Sequence, residues 1–526
     1  MSDDALTLPH GPGTFISWRP SSAALLTVAA VMGLLVAAVL VAPVSIPGLV
    51  IVGIGLAVLL AFASMRWPRT VVVLVVISPL FDRYILAPWL PADIGALANF
   101  LSEALLLTVG TALAIRAWAE GRLLAAFRHP VTVALLAFVA LSGVSALVNA
   151  VPIAAVVLGL GMTLDAAACF YLPRLAGFSV RHALVATAVF IGIVTVAALG
   201  GLGQALLDPN LFGLTAWQGR YGEVIRLASI FSDPNTLGAV LIGGIPFAIF
   251  GITSLHNPRQ RLAAVALALL FFVPLYLSFS RGAWGGLLVG GSVGVLLVSW
   301  RALAVGVVVA ALGLGLAMLT PRGMFADVPP PPPTAPQQPP PGPAEEPNLI
   351  ESTIARIAEI GRGKDLRTLF VVNAVPIIGD HPLVGVGPGR YGGAAASLLG
   401  TPVYAEYQTD ALFGDPEQTT VDNFWLHLLV ESGLLGTIAF AAAGLAAFVP
   451  IVRAARRSRG WVRVMLGGMS GGIAALVANS ITTMLLEANS VAFMTWFLLG
   501  IGAIVAAGIL SAPRDAEPER DPERAA

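Results

Sequence analysis

Charge is scarce in this chain. Asp, Glu, Lys and Arg together make up 11% of its 526 residues, against about 25% in globular domains, and a water-soluble fold is thereby excluded. Cysteine is nearly absent. Cys169 stands alone in an apolar run, so no internal disulfide is possible and one thiol makes a poor metal site. Lysine is equally rare, with Lys364 the only one; positive charge is carried by arginine. The net charge is zero, so nothing points to a nucleic-acid partner.

What fills the sequence instead is apolar. Hydrophobic residues reach 57% and the mean hydropathy is +0.87. About fourteen apolar stretches are separated by short polar connectors and one long polar insert, about residues 321–425. A helix needs about 20 mostly apolar residues to cross a bilayer, and only helices and closed barrels satisfy their backbone there. These runs are long and do not alternate, so they read as helices and not barrel strands. The expected spans are 22–43, 46–65, 69–82, 98–117, 131–150, 152–173, 183–206, 236–254, 262–279, 282–300, 302–320, 426–450, 464–485 and 490–511. The first is too long for the apolar core of a secretory signal and reads as a retained helix. The fold class is therefore all-α: a polytopic transmembrane helical bundle of about 12–14 spans with one large extracytoplasmic loop carrying short helices.

Arginine counting orients the bundle. With both termini inside, the inner connectors hold fifteen arginines, from Arg66 to Arg463, and the short outer connectors hold four: Arg83, Arg220, Arg226 and Arg281. This bias follows the positive-inside rule. Removing one span before residue 236 would invert every later loop and destroy the bias, whereas removing two would not. The expected organisation is a cytoplasmic segment 1–21, transmembrane helices across 22–320, an extracytoplasmic loop 321–425, transmembrane helices across 426–511, and a mixed-charge, disordered cytoplasmic tail 512–526. Within the loop, 328–347 is a proline-rich, extended linker. Residues 350–378 have helical spacing, with Ile354, Ile357 and Ile360 on one side, which predicts a helix along the membrane surface. HPLVGVGPG, from His381, holds three glycines and two prolines and cannot be helical. It lacks the lysine and the preceding strand of a phosphate-binding loop. It reads as a tight turn that lets two segments approach closely.

Ionisable groups near a bilayer are expensive, so outward arginines at helix ends need partners or ligands. Arg226 lies in VIRLASIFSDPNTLG, Arg281 in SFSRGAWGG and Arg367 in the loop helix. Each either snorkels to headgroups or pairs with a carboxylate, as Glu223 would with Arg226, or it joins an anion clamp, since guanidinium forks bind phosphate oxygens bidentately. SDPNTLG reads as a helix start, with Ser232, Asp233 or Asn235 as the cap and Pro234 in the first turn. An outward-facing helix N-terminus also favours anions. In VDNFWLHLLVESGLLG (421–436), Asn423, His427 and Glu431 recur every four residues and share one helix face, with Asp422 beside it at the water boundary. Asp422 is either an N-cap or a catalytic carboxylate, and His427 either a hydrogen-bonded structural residue or a base. Glu103, Asp165 and Glu487 read as structural partners within apolar runs.

These stretches resemble the O-antigen ligase and O-antigen polymerase superfamily, multi-spanning bacterial glycosyltransferases acting on undecaprenyl-diphosphate-linked glycans. RLASIFSDPNTLG, LSFSRGAWGG, DLRTLF followed by HPLVGVGPGRYG, and VDNFWLHLLVESGLLG appear in the family's order over about residues 226–440. The first two hundred residues match only as a hydrophobic ladder. The resemblance implies a metal-independent transfer, without cofactor, at the outer face of the bacterial cytoplasmic (inner) membrane. It makes Arg226, Arg281 and Arg367 the diphosphate ligands, Arg281 also a catalytic cation, and Asn235, His381, Asn423 and Glu431 supporting residues. The ligase branch carries histidine directly before the asparagine of the last motif. Here that position is Asp422, which leans toward a polymerase-like member and leaves the base open among Asp422, His427 and His381. The implied partners are an undecaprenyl-diphosphate-linked glycan, a glycan, lipid or protein acceptor, and the surrounding membrane lipids. Attack opposite the diphosphate would invert the anomeric centre. The alternative is a transporter or flippase for a lipid-linked glycan or other solute; a non-catalytic assembly component is a third reading. Transporters often bind at mid-membrane between inverted repeats, whereas these motifs gather at one surface.

Overall fold

The computed structural model describes residues 46–81, 100–208, 211, 217–218, 225–231, 233–318, 366–409, 420–487 and 489–512. The expected span 22–43, the proline-rich 328–347, the stretch holding Ile354, Ile357, Ile360 and Lys364, Glu223, Ser232 and nearly all of the tail lie outside the described residues.

Among the described residues the chain is helical apart from a two-residue antiparallel ladder, Trp217–Gln218 against Ile225–Arg226. The main helices are α1 (Ile46–Arg66), α2 (Pro68–Phe81), α3 (Leu101–Ala119), α4 (Pro130–Val148), α5 (Ile153–Ala168), α6 (Val180–Leu206), α7 (Pro234–Ser254) and α8 (Pro258–Leu277). Next comes α9, which runs from Arg281–Gly286 through a π turn, Leu287–Gly291, to Ser292–Leu296. The others are α10 (Trp300–Met318), α11 (Leu366–Asp380), α12 (Phe424–Arg457), α13 (Gly460–Asn479) and α14 (Asn489–Ser511). Among the described residues, nine of these are long and apolar enough to cross a membrane. Three of these helices begin where a polar residue precedes proline. His129, Asp233 and Asn257 each accept a backbone N–H of the helix that follows, and Pro130, Pro234 and Pro258 occupy a position that needs no amide partner.

Two spans end earlier than the apolar pattern suggests. α5 stops at Ala168, and Leu172–Leu175 forms a separate turn. α13 stops at Asn479, and a polar turn containing Ser480, Thr482 and Thr483 follows. α12 is the reverse case, at 34 residues. It is broken at Gly433, whose φ of 63° and ψ of −173° belong to no helix. The part after the break covers about 36 Å at 1.5 Å per residue, enough for a hydrocarbon core of about 30 Å. Phe424–Ser432 is thus a separate piece at the N-terminal end.

Lipid is as apolar as leucine, so helices in it are held by close packing and hydrogen bonds. α7 shows the result: it is buried along almost its whole length. Gly472 of α13 meets it so closely that a Cβ there would lie 2.4 Å from the Gly243 carbonyl oxygen. α9 carries glycine every fourth residue, at 282, 286, 290 and 294. A Cβ at these positions would fall 2.1 Å from Thr482 Oγ1, 2.8 Å from Ala475 O, 2.1 Å from Ala474 O and 2.3 Å from Ser470 O. The backbone of α9 therefore rests directly on α13, and this fixes where Arg281, its first residue, sits. α11 takes up the later part of the stretch 350–378 expected to be helical. Phe370, Ala374 and Ile377 are buried in one cluster with Leu426 and Val430, so α11 stands alongside the N-terminal piece of α12.

Candidate active site

The segment before α7 is pinned by side chains of α6. Gln204 Oε1 accepts from the N–H groups of Ala228 (3.1 Å) and Ser229 (2.7 Å), and Ser229 Oγ donates to Ala197 O (2.7 Å). This places Arg226, 7% exposed, against the end of α8. Its Nε donates to Ser278 O (3.0 Å) and its Nη2 to Asn235 Oδ1 (3.0 Å). The same Asn235 oxygen accepts from Ser280 Oγ (3.0 Å), and Ser280 directly precedes Arg281. One amide thus ties together two of the three arginines singled out in the sequence. Asn235 is free for this because Asp233 is the cap of α7, accepting from Asn235 N–H (3.1 Å), Thr236 N–H (2.9 Å) and Thr236 Oγ1 (2.7 Å).

A second corner is joined to the first by the turn after α13. Thr482 packs on Gly282 beside Arg281, and the carbonyls of Ser480 and Thr483 accept from Phe424 N–H (2.9 and 3.3 Å). The start of α12 is thereby held next to the start of α9. Asn423 is its N-cap, accepting from Leu426 N–H (3.0 Å), so Asp422 is not needed for capping. Asp422 instead pairs with Arg367 Nη2 at 3.4 Å, with half of its side chain exposed.

The remaining motif residues build a plug. The break at Gly433 leaves backbone groups of α12 unpaired within the helix, and the HPLVGVGPG turn supplies their partners. Val386 and Gly387 N–H donate to Val430 O and Glu431 O (both 2.9 Å), while Leu434 and Leu435 N–H donate to Pro382 O (2.9 Å) and Leu383 O (3.1 Å). On the other side Asn149 Nδ2 donates to Gly385 O (3.0 Å), and Gly389 approaches Ala155 and Gly159 too closely for any side chain. Glu431, 3% exposed, accepts from Gly389 N–H (2.9 Å) and Tyr391 N–H (2.8 Å). His427 Nδ1 lies 2.5 Å from Tyr391 O. A carbonyl can only accept, so Nδ1 carries the proton, and Nε2 faces Glu487 at 3.6 Å and Glu431 at 3.8 Å. Tyr404 Oη accepts from Gly392 N–H (2.9 Å). Burial pushes its phenol up to about 12 and pushes Tyr391 higher still, so both stay protonated at neutral pH.

His381 is placed apart from the other two base candidates. It follows the C-terminal end of α11, fourteen residues beyond Arg367, or about 21 Å along a helix axis. The structure thus groups Arg226, Arg281, Asn235, Arg367, Asp422 and Asn423 around one end of the bundle, encloses His427 and Glu431 in the plug, and leaves His381 at the plug's far edge. Gln204, Asn149 and Thr482, which fasten these parts, carried no signal beyond being polar at the end of an apolar run. Among the described residues no group of three His, Cys, Asp or Glu side chains is placed to hold a metal ion.

Residues 265–441 match the model of the O-antigen ligase family. The chain is a multi-pass membrane protein, and in this stretch it is similar to the O-antigen ligase family. The matched stretch is about a third of the chain. It takes in Arg281, α11, the HPLVGVGPG turn and the N-terminal piece of α12, while Arg226 and Asn235 precede it. The O-antigen ligase family implies a glycan-transfer enzyme with lipid-linked glycan substrates. No curated protein matches the chain.

Proposed function

We propose that the chain transfers or polymerises a glycan from an undecaprenyl-diphosphate donor at the outer face of the cytoplasmic membrane. The observation that carries this reading is the shared Asn235 contact, which sets Arg226 beside the start of α9, together with the turn that sets Asp422 beside the same helix end. In this reading Arg226 and Arg281 bind the donor's diphosphate and stabilise the charge that grows on it as the glycosidic C–O bond breaks. Preorganised cations are the strongest single means of doing so. An acceptor hydroxyl attacks the anomeric carbon from the opposite side, which inverts it, and its proton passes to Asp422 as the new bond forms. The acceptor is a glycan, a lipid or a protein.

Arg367 fits as the third ligand because its hold on Asp422 is weak. A partly exposed pair of this kind contributes about 0.2–1 kcal/mol. A diphosphate offers bidentate, charge-assisted bonds to the same guanidinium. Donor binding would draw Arg367 away and release Asp422 to act on the acceptor. His427 is assigned a structural part here, since both ring nitrogens face groups of the plug.

The test is transfer by the purified chain in vesicles supplied with a polyprenyl-diphosphate glycan and an acceptor. Arg226→Ala and Arg281→Ala are each expected to slow transfer by about 10²–10³-fold, the usual effect of removing one preorganised donor, with membrane insertion retained. Undiminished product from both variants would remove the clamp. Movement of the intact donor across the bilayer with no product would favour a flippase.

A further inference from the structure

We propose that Arg174, at the end of the bundle opposite the Arg226–Arg281 corner, is the centre of a binding site for the phosphate group of an anionic phospholipid. α5 begins beside the plug, where Gly389 meets Ala155 and Gly159. It runs away from the plug for 16 residues, about 24 Å, and the turn Leu172–Leu175 follows. Arg174 therefore stands across most of a hydrocarbon core of about 30 Å from the plug. The observation that carries the site is a half-buried cation with nothing to neutralise it. Arg174 Nε is buried and has no hydrogen-bond partner among the described residues. No carboxylate among them pairs with its guanidinium. Glu120, at the same end, is taken up by Arg116 (2.8 Å) and Arg122.

What surrounds Arg174 is neutral. Its guanidinium carbon lies over the Phe170 ring, 5.2 Å from the centroid. The His129 ring is 5.2 Å from the same Phe170. Burial, then the charge of Arg174, hold the His129 imidazole down to about 4, so it is uncharged at neutral pH. Tyr171 Oη is engaged with Thr132 Oγ1 at 2.9 Å. A ring face attracts a cation, but it does not supply the oxygen acceptors that five guanidinium N–H donors need. An unmatched buried donor is costly, and an uncompensated buried charge more so. A phosphate meets both demands with bidentate, charge-assisted bonds. The setting points to the source. Phe127, in the short helix Leu123–Phe127, packs on Tyr171 with ring centroids 4.8 Å apart. Beside it Trp118, Leu124 and Arg128 are exposed, a mixture of aromatic, apolar and basic side chains that suits a membrane interface. A second guanidinium reaches the same turn. Arg69 Nε donates to Gly177 O (3.3 Å), and Gly177 N–H donates to Arg174 O (3.2 Å). Basic pockets of this kind favour lipids of net negative charge. A zwitterionic headgroup would bring its own ammonium to a place with no carboxylate to receive it. Free phosphate has the charge but no acyl chains to lie along Trp118 and Leu124.

The experiment uses the full chain in neutral detergent micelles, titrated in parallel with phosphatidylglycerol, phosphatidylethanolamine and inorganic phosphate. Bound lipid is read by native mass spectrometry and stability by the thermal midpoint. The expected result is saturable binding of phosphatidylglycerol that raises the midpoint, with neither of the other two doing so at equal concentration. Arg174→Ala is expected to weaken that binding about tenfold, equivalent to about 1.4 kcal/mol. Arg174→Lys should recover only part, because an ammonium lacks the bidentate fork. Arg301→Ala removes an exposed arginine at the same end, one that lies 5.8 Å over Trp300, and is expected to change nothing. No loss with Arg174→Ala, or an equal loss with Arg301→Ala, would mean diffuse attraction only and would overturn the site. An equal rise with phosphatidylethanolamine or with inorganic phosphate would overturn the anionic lipid as its occupant. A phosphatidylglycerol with a photoreactive headgroup reports on the unmodified chain, so the test survives if Arg174→Ala does not fold. Labelling is expected within residues 127–132 and 170–177, and labelling confined to other segments would remove the site. None of these readouts is glycan transfer, so the result stands apart from the glycosyltransferase reading.

Discussion

Two parts of the motif region use the same residue types in opposite ways. In the plug, His427 and Glu431 are 3% exposed, and the carboxylate of Glu431 is taken up by two backbone N–H groups. At the rim, Asp422 is half exposed and its contact with Arg367 is long, at 3.4 Å. Both acids belong to VDNFWLHLLVESGLLG and stand nine residues apart. Fixed internal acceptors make Glu431 a fastening, because releasing it would leave two buried donors unpaired at about 1–3 kcal/mol each. Half exposed and with a long contact to Arg367, Asp422 is open to substrate. The difference between a fastening and a reacting group here is the cost of letting go.

That contrast is broken or sharpened first by paired substitutions. Asp422→Asn is expected to lower turnover by about 10²–10⁴-fold, the range for losing a general base, with a thermal midpoint in detergent that hardly moves. Glu431→Ala is expected to do the reverse in kind. It should destabilise the folded chain by about 2–5 kcal/mol, seen as a lower midpoint and easier proteolysis of the 382–391 turn, and any loss of activity should follow the loss of folded protein. If Glu431→Ala folds as well as the unmodified chain but transfers nothing, the plug is chemical and the division between the two regions is wrong.

Gly433→Ala probes the same plug through the backbone. Its φ and ψ lie in a region that is essentially restricted to glycine, and a Cβ would fall 2.3 Å from the Leu383 carbonyl. A loss of about 1–3 kcal/mol from backbone strain is expected, with further cost from the close contact, read as a shift in chemical-denaturation midpoint. An unchanged midpoint would mean that the turn and the helix break are not packed as described.

The legible part of the sequence was the part governed by periodicity and composition. Apolar runs marked the helices, and SDPNTLG and VDNFWLHLL marked two starts correctly in kind. The cap in each motif was less legible, because adjacent polar residues such as Asp233 and Asn235, or Asp422 and Asn423, satisfy the same local pattern. Which one caps is decided by what the other meets across the fold: Arg226 and Ser280 for Asn235, Arg367 for Asp422. The four-residue glycine spacing of α9 was present in the sequence, but the partner it packs on, α13, lies nearly two hundred residues away. The length of α12 concealed its break, since Gly433 inside an apolar run signals no particular direction until the HPLVGVGPG turn is seen bonded to it.

The smallest effect tests the rim itself. Arg367→Ala removes a pair whose geometry, 3.4 Å with the acid half exposed, places it among surface ion pairs of about 0.2–1 kcal/mol. A double-mutant cycle on stability with Arg367→Ala and Asp422→Ala should therefore give a coupling below about 1 kcal/mol, which shrinks further in high salt because exposed charges are screened. Donor affinity should respond differently. If Arg367 trades Asp422 for the diphosphate, Arg367→Ala raises KM for the donor, and Arg367→Lys recovers only part of the loss because an ammonium lacks the bidentate fork. A coupling of several kcal/mol would instead mean that the pair is a fastening like Glu431, closed to substrate, and the base would have to be sought elsewhere.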